Sequence, residues 1–595
     1  MTMTKLAALC ELLLAVAVSA SPAPTQDAGN RFTLPNAAPN YRARAASIEA
    51  KRKGWLYREY PIGGALYPTG TLANQTISKQ QAQWFPIVVE HAKVIAEESI
   101  SAMAAIVAGG NFSTLDDYAK TYENQWNMSL PGGPMLGMVT NYTDDRLFSM
   151  MELSGTPYKI QRVQRHEPLL FPVDNAASIT GGLSLGDLQA QGRLFSTDFS
   201  RLKRDLPSSG KYGAGCQAYF YIDKSGDFLP LAVKPIVKGR EKSALVYTPK
   251  DQPADWLLAK MLFNQNRGYH STWAHVGQSH SAAEAPYLAA IRSLSNDHPV
   301  MGILNRIEKT PWGVRPNLET GLESGTSFTG PQYYPWTPDA AREYVNELYL
   351  SGESADFERH YYRSEFKRRG LVDSSFGPEL KSFPFYEDTS IITEAIREFM
   401  ETFVNSYYPN DKAVLADIEL QAWHRETNVA QVYDFPQINT RQSVADILTH
   451  QVYLSVIVSN VMSTNGIHMN SMALPFAPAG FLQPIPSKKG LTEKDLMTFM
   501  PTPEGAVWQV STYVVGHRPM WRDTNETLSH LFDDEMLLAK TNPATRAAAV
   551  KFKDTMMNFS TEVRARTFDE NGLNRGMPFI WDALDPNYAP YWSVI

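Results

Sequence analysis

The amino-acid sequence predicts a mainly α fold: one large helical domain with a small β portion. Three observations lead there. Apolar residues recur at three- and four-residue steps through most of the 595 residues. One zone, residues 157–247, is instead rich in turns and short apolar runs. Neither an internal repeat nor a second composition regime divides the chain, although about 150 residues per domain would allow up to four.

The elements follow in order. Residues 1–20 read as a secretory signal peptide: Lys5 supplies a positive start, Leu6 to Val18 an apolar stretch interrupted by Glu11, and Val18-Ser19-Ala20 a small-residue cleavage site. Pro22 and Pro24 follow, where a helix cannot continue. The competing reading is a buried or frayed N-terminal helix. Residues 21–60, rich in Ala, Pro, Asn and Arg, read as an extended lead, and residues 61–595 as the single domain. Helical periodicity begins near Ser78, with Phe85, Val88, Val89, Ala92, Val94, Ile95, Ile100 and Ile106 at helical steps, and Gly109-Gly110 ends it. In the turn-rich zone, Ala218–Ile222 and Leu229–Val233 read as strands joined by a hairpin-like turn at Asp223–Gly226. Helical patterns then cover 254–266, 271–296, 338–352, 390–407, 412–427, 443–465, 491–499 and 543–564.

Composition narrows the function. Hydrophobic residues make up 43% and charged residues 20%, which excludes a disordered or low-complexity chain. The net charge of −7 argues against a nucleic-acid partner. Beyond the signal no run of some 18 uninterrupted apolar residues suggests a membrane span. Of two cysteines, Cys10 would leave with the signal; Cys216, at a turn entering an apolar strand, reads as buried and structural rather than nucleophilic. Six Asn-x-Ser/Thr sequons, at Asn74, Asn111, Asn127, Asn141, Asn525 and Asn558, fit a secreted, extracellular glycoprotein. No Gly-x-Ser-x-Gly motif sits in a strand–turn–helix context, which removes a hydrolase reading.

The chemistry-bearing segment runs from Trp256 to Glu284 and holds His270, His275 and His280. On a regular α-helix five residues put His275 and His280 about 140° apart, too far round to share a metal. A π-type turn of about 4.4 residues would bring them within about 50°. Without it, such histidines are core or surface residues.

The sequence resembles the lipoxygenases, and among them the secreted fungal manganese lipoxygenases, over roughly residues 80–595. The matching segments are Asp144–Gly155; Trp256–Pro299, with His275-x4-His280 and the closing Leu294-Ser-Asn-Asp-His-Pro299; Leu420-Gln-Ala-Trp423; Leu491–Pro501; Asp582–Pro590; and the terminal Trp592-Ser-Val-Ile595. The chain has no room for the N-terminal β-barrel of plant and animal members. The resemblance implies one Mn per chain (Fe as the alternative), held by His275 and His280 from one helix, two residues of a second helix, and the Ile595 carboxylate. It implies that the metal(III)-hydroxide takes a hydrogen atom from a polyunsaturated fatty acid of the linoleate or linolenate type, with O2 adding to give a hydroperoxide. No separate protein base is then required. A monomer is expected.

The second ligand helix departs from the family pattern of His-x-x-x-Asn. In Val452–Gly466, ungapped alignment puts Asn460 at the histidine and Thr464 at the asparagine; a shift of one puts Val461 and Asn465 there. His450 lies about three turns too early, His468 beyond the expected helix end, and His424-x3-Asn428 belongs to an earlier segment. The expectation is a dioxygenase with an altered metal shell, Asn460 replacing an imidazole; the alternative is a catalytically silent relative that binds fatty acid or a partner. Pro316–Gly321 is also atypical, so the oxygenated carbon cannot be carried over from the family.

Overall fold

The computed structural model describes residues 31–205, 207–313, 315–316, 334–353, 355–464 and 472–593. The signal segment, His468, Asn465 and Ile595 lie outside them. The first long element overturns the extended lead. Tyr41–Gly54 form helix α1, capped by Asn40, whose side chain accepts from the Ala43 N–H at 3.0 Å. The prolines that suggested extension, Pro22, Pro24, Pro35 and Pro39, all precede it. Long-range pairs hold it: Arg44 Nη2 to Glu419 at 3.0 Å, Arg52 to Glu426 at 2.6 Å, and Lys51 to Asn296 at 3.0 Å.

Strands β1 (Leu56–Arg58) and β2 (Tyr67–Thr69) form a small antiparallel ribbon. Helix α2 (Thr71–Ala108) starts seven residues before the periodicity suggested, because Ala73 and Ile77 extend the buried stripe that continues through Gln80, Trp84, His91, Ile95, Ala102 and Ile106. Pro86 sits on its exposed face, where the carbonyl it leaves unbonded can meet water. Gly110, at φ +86°, ends the run as expected.

A four-stranded antiparallel sheet runs β3 (Gln161–Arg162), β4 (Leu194–Asp198), β5 (Gly215–Ile222), β6 (Phe228–Ile236). The expected hairpin is β5–β6. Its register slips between Tyr219 and Phe220, which faces Pro230, a residue with no N–H for the ladder. Cys216 is fully buried in β5, as read.

The rest is helical. Helix α3 (Pro253–His275) passes into a π turn (Val276–Ser281) and continues as α4 (Ala282–Ser293); α5 (Pro299–Ile307) and α6 (Pro338–Leu350) follow. Then come α7 (Pro384–Tyr407), α8 (Ile418–Val429), α9 (Arg441–Val452), α10 (Pro503–Tyr513) and α11 (Pro543–Arg564). Helices α5 and α10 carried no clear sequence signal; each is a short helix opening on a proline. Helix pairs α4–α8, α7–α11, α7–α9 and α2–α10 pack around the core, and β5 and β6 lie on α3. Arg441–Ser463 is long and apolar enough to cross a membrane, but 94% of its apolar window is buried in the protein: it is a core helix. Among the described residues there is no N-terminal β-barrel.

Candidate metal centre

Helix α3 is buried on all sides from Asp255 onward, so every polar side chain on it requires a partner. Those partners set its position and rotation. Lys260 donates to the Thr143 carbonyl and Asp145, both at 2.7 Å. Asn264 reaches the Phe476 carbonyl at 2.9 Å, and Asn266 pairs with the Cys216 N–H and the Ala214 carbonyl at 2.8 Å each. Arg267 bonds Glu152 and the Phe148 carbonyl, each at 2.7 Å. Gly268 leaves room for the Met472 side chain: a Cβ there would stand 1.7 Å from the Met472 sulfur.

His275 ends α3, and the π turn foreseen from the five-residue spacing follows it. The two imidazoles lie 5.3 Å apart, centroid to centroid. His275 Nδ1–H donates to the Thr272 carbonyl at 2.5 Å, which leaves buried Nε2 with a lone pair and no partner. Burial, with lesser contributions from His280 and Arg315, pushes this imidazole down to about 3, so it is neutral and able to coordinate. Burial lowers His280 too, against the pull of Glu284.

A third candidate donor lies on another core segment. Asn460 opens a further π segment, Asn460–Thr464, that follows another at Tyr453–Val458 and packs on α3. Its amide nitrogen donates to the Val456 carbonyl at 2.7 Å and the Pro590 carbonyl at 3.0 Å. Both amide hydrogens are thereby used, and Oδ1, 99% withdrawn from solvent with its residue, has no partner. Thr464 closes the segment. Ser593 Oγ stands 2.9 Å from His280 Nδ1, so the C-terminal stretch passes beside the second imidazole. Among the described residues no third His, Cys, Asp or Glu joins these histidines as a metal cluster.

Two residues without an assigned role in the sequence emerge here. Glu284 Oε1 lies 3.4 Å from His280 Nδ1, and its other oxygen accepts from Arg315 at 3.0 Å. The signal was available for the first: His280-x3-Glu284 is the i,i+4 spacing that stacks two side chains on one helix face. Arg315 carried no local signal. The residues set aside stay aside. His450 is packed among Phe357, Tyr361 and Tyr453, and Asn428 is exposed, its amide nitrogen 3.4 Å from the His424 carbonyl.

Two neutral imidazole nitrogens and an amide oxygen, all buried, suit a divalent first-row metal such as manganese or iron. Comparison with known proteins bears on that directly. The family model described as "Lipoxygenase" matches residues 202–311 and 372–581. Manganese lipoxygenases from Colletotrichum gloeosporioides and Nakataea oryzae are 37% and 38% identical to this chain over 96% and 97% of it, and over 93% of their own lengths.

This chain belongs to the lipoxygenase family.

Solved structures agree with that membership. A manganese lipoxygenase superposes with a TM-score of 0.90 at 35% identity, and that of Gaeumannomyces graminis with 0.89 at 37%; each alignment covers 94% of this chain and 99% of the other. The mainly helical fold is therefore that of a lipoxygenase catalytic domain.

Proposed function

We propose that this lipoxygenase-family chain is a secreted fatty-acid dioxygenase with an altered manganese shell. Its substrates would be O2 and polyunsaturated acids of the linoleate or linolenate type, its product a hydroperoxide. The observation that carries the reading is the pair of buried neutral imidazoles brought together by a π turn, with the free Asn460 oxygen presented by the segment packed on the same helix. His275, His280 and Asn460 would hold one Mn (Fe as the alternative); Thr464 or Asn465 and the Ile595 carboxylate complete the proposed set. The proximity of Ser593 to His280 supports the last of these. When bound, such a metal supplies the one-electron chemistry that removes a bis-allylic hydrogen so that O2 can add to the fatty-acid radical.

The chain's own residues prepare that site. The Thr272 carbonyl fixes the His275 tautomer, the Val456 and Pro590 carbonyls fix the Asn460 amide, and Glu284 braces His280. Burial keeps both imidazoles unprotonated. Secretion and glycosylation are part of the proposal, supported by the N-terminal segment and the sequons.

Elemental analysis and oxygen uptake test it. The expected result is one Mn per chain, linoleate-dependent uptake, and loss of both in His275→Ala. The second reading, a silent relative, draws on Asn460: an amide oxygen is a weaker donor than imidazole. Uptake that appears only in Asn460→His would establish that reading instead.

A further inference from the structure

Glu308, which follows the last turn of α5, is 3% exposed. Its Oε1 accepts from Gln451 Nε2 at 2.9 Å and from Ser455 Oγ at 2.5 Å, while Oε2 has no partner. Gln451 spends its other amide hydrogen on the Ala283 carbonyl at 2.6 Å, three residues beyond His280. An amide set between a carboxyl and a carbonyl can present only its nitrogen, so its orientation is fixed. One carboxyl oxygen therefore ties two donor-bearing elements together. Gln451 lies in α9, and Ser455 in the π run Tyr453–Val458, which packs on the π turn of His280 and leads to Asn460.

The charges around Glu308 are one-sided. From α4 it faces Glu284, which is engaged with Arg315 and His280, and Tyr287, whose hydroxyl donates to Asn305 at 2.9 Å. From α9 and the π run it meets the neutral Gln451 and Ser455. Lys309, next in the chain, pairs with Glu526 at 2.7 Å. Burial pushes the Glu308 carboxyl up to about 7; Ser455 and Gln451 oppose that rise, and Glu284 adds to it. Both forms are thus present near neutrality, and the ionised one accepts more strongly from the two side chains.

We propose that Glu308 is a positioning residue for the candidate metal site: through Gln451 and Ser455 its carboxylate fixes the helix of His280 against the run that carries Asn460. The inference rests on the metal-site reading and adds to it a residue that acts only through others. A cation in the site offsets the unmatched negative charge on Glu308. Binding therefore favours the carboxylate, and the proton it gives up passes to the medium.

Equilibrium dialysis of the full chain against manganese, from about pH 5.5 to 8, tests it without turnover. Glu308→Gln keeps the shape but cannot ionise. It should bind manganese about as well as wild type at the acid end, where wild-type Glu308 carries its proton. At the alkaline end, where the wild type offers a carboxylate, it should bind about tenfold more weakly. Ser455→Ala removes a hydrogen bond that favours the carboxylate, so it should move the rise in affinity to higher pH. A purely structural role would instead weaken binding evenly. A ratio of Glu308→Gln to wild-type affinity that stays constant across pH overturns the proposal, as does an even loss in Ser455→Ala. If Glu308→Gln does not fold, the Ser455→Ala profile decides. Wild-type protein that takes up no manganese at any pH sinks the metal-site reading itself, and this proposal with it.

Discussion

His275 and His280 lie 5.3 Å apart, centroid to centroid, with ring planes at 69°, although they are five positions apart along one helical run. A regular α-helix would turn them about 140° away from each other. The π turn over Val276–Ser281 is what converts that spacing into a shared site.

Glu284 tests how firmly that geometry is braced. In Glu284→Gln the shape is kept but Arg315, with 2% of its side chain exposed, loses its counter-charge. Stability should fall by about 3 kcal/mol. The manganese affinity should fall about tenfold, as the loss of an outer partner of a ligating histidine does. Chelator competition reads the second effect; unchanged manganese release would show that Glu284 is structural only.

Asn460 joins the π segment Asn460–Thr464 to a stretch 130 residues later through the Pro590 carbonyl. Asn460→Ala leaves that carbonyl and Val456's without the amide hydrogens and should cost about 1–3 kcal/mol in denaturant unfolding. It should also lower bound manganese, whereas Asn460→His should raise it. A variant with normal metal content would remove Asn460 from the shell.

Acid should destabilise the fold through buried histidines other than His275 and His280. Burial, then Arg518, holds His91 down at about 4; burial holds His517 at about 3. Both are buried as neutral rings: His91 Nε2 lies 2.9 Å from the Val514 carbonyl, and His517 Nδ1 2.5 Å from the Ser129 carbonyl. The unfolded chain takes up their protons near pH 6.5, before the folded one does. Stability is therefore complete above about 6.5 and falls as pH drops towards 4, by about 2 kcal/mol at pH 5 for His91. Urea midpoints from pH 7 to 4.5 check the slope, which His91→Gln should flatten.

The six sequons are not equivalent. Asn74, Asn111, Asn127, Asn525 and Asn558 are exposed. Asn141 is half-buried and donates to the Pro578 carbonyl at 2.7 Å, so its amide nitrogen is engaged in the fold. On a secreted product, glycopeptide mapping should find sugar at exposed sites and none at Asn141. Occupancy at Asn141 would mean modification before that bond forms.

Local pattern was a sound guide wherever one helix or hairpin face settles the matter. The α2 stripe, the β5–β6 hairpin and the long helices follow from spacing that neighbours enforce. It failed for α1, which reads as one piece with the proline-bearing stretch before it and whose anchors, Glu419 and Glu426, lie more than 370 residues away. It also missed Arg315, because a buried guanidinium has no periodic signature.

From sequence alone came the helical class, the family, and the requirement that His275-x4-His280 depend on a π turn, since helical angles depend only on the count of residues between two positions. What only the folded molecule decided is which atoms are left free. Whether His275 offers Nε2, or Asn460 its oxygen, depends on carbonyls at Thr272, Val456 and Pro590 claiming the hydrogens first. A side chain's remaining valence is set by the partners that surround it, and the most distant of these meets Asn460 only when the chain closes on itself.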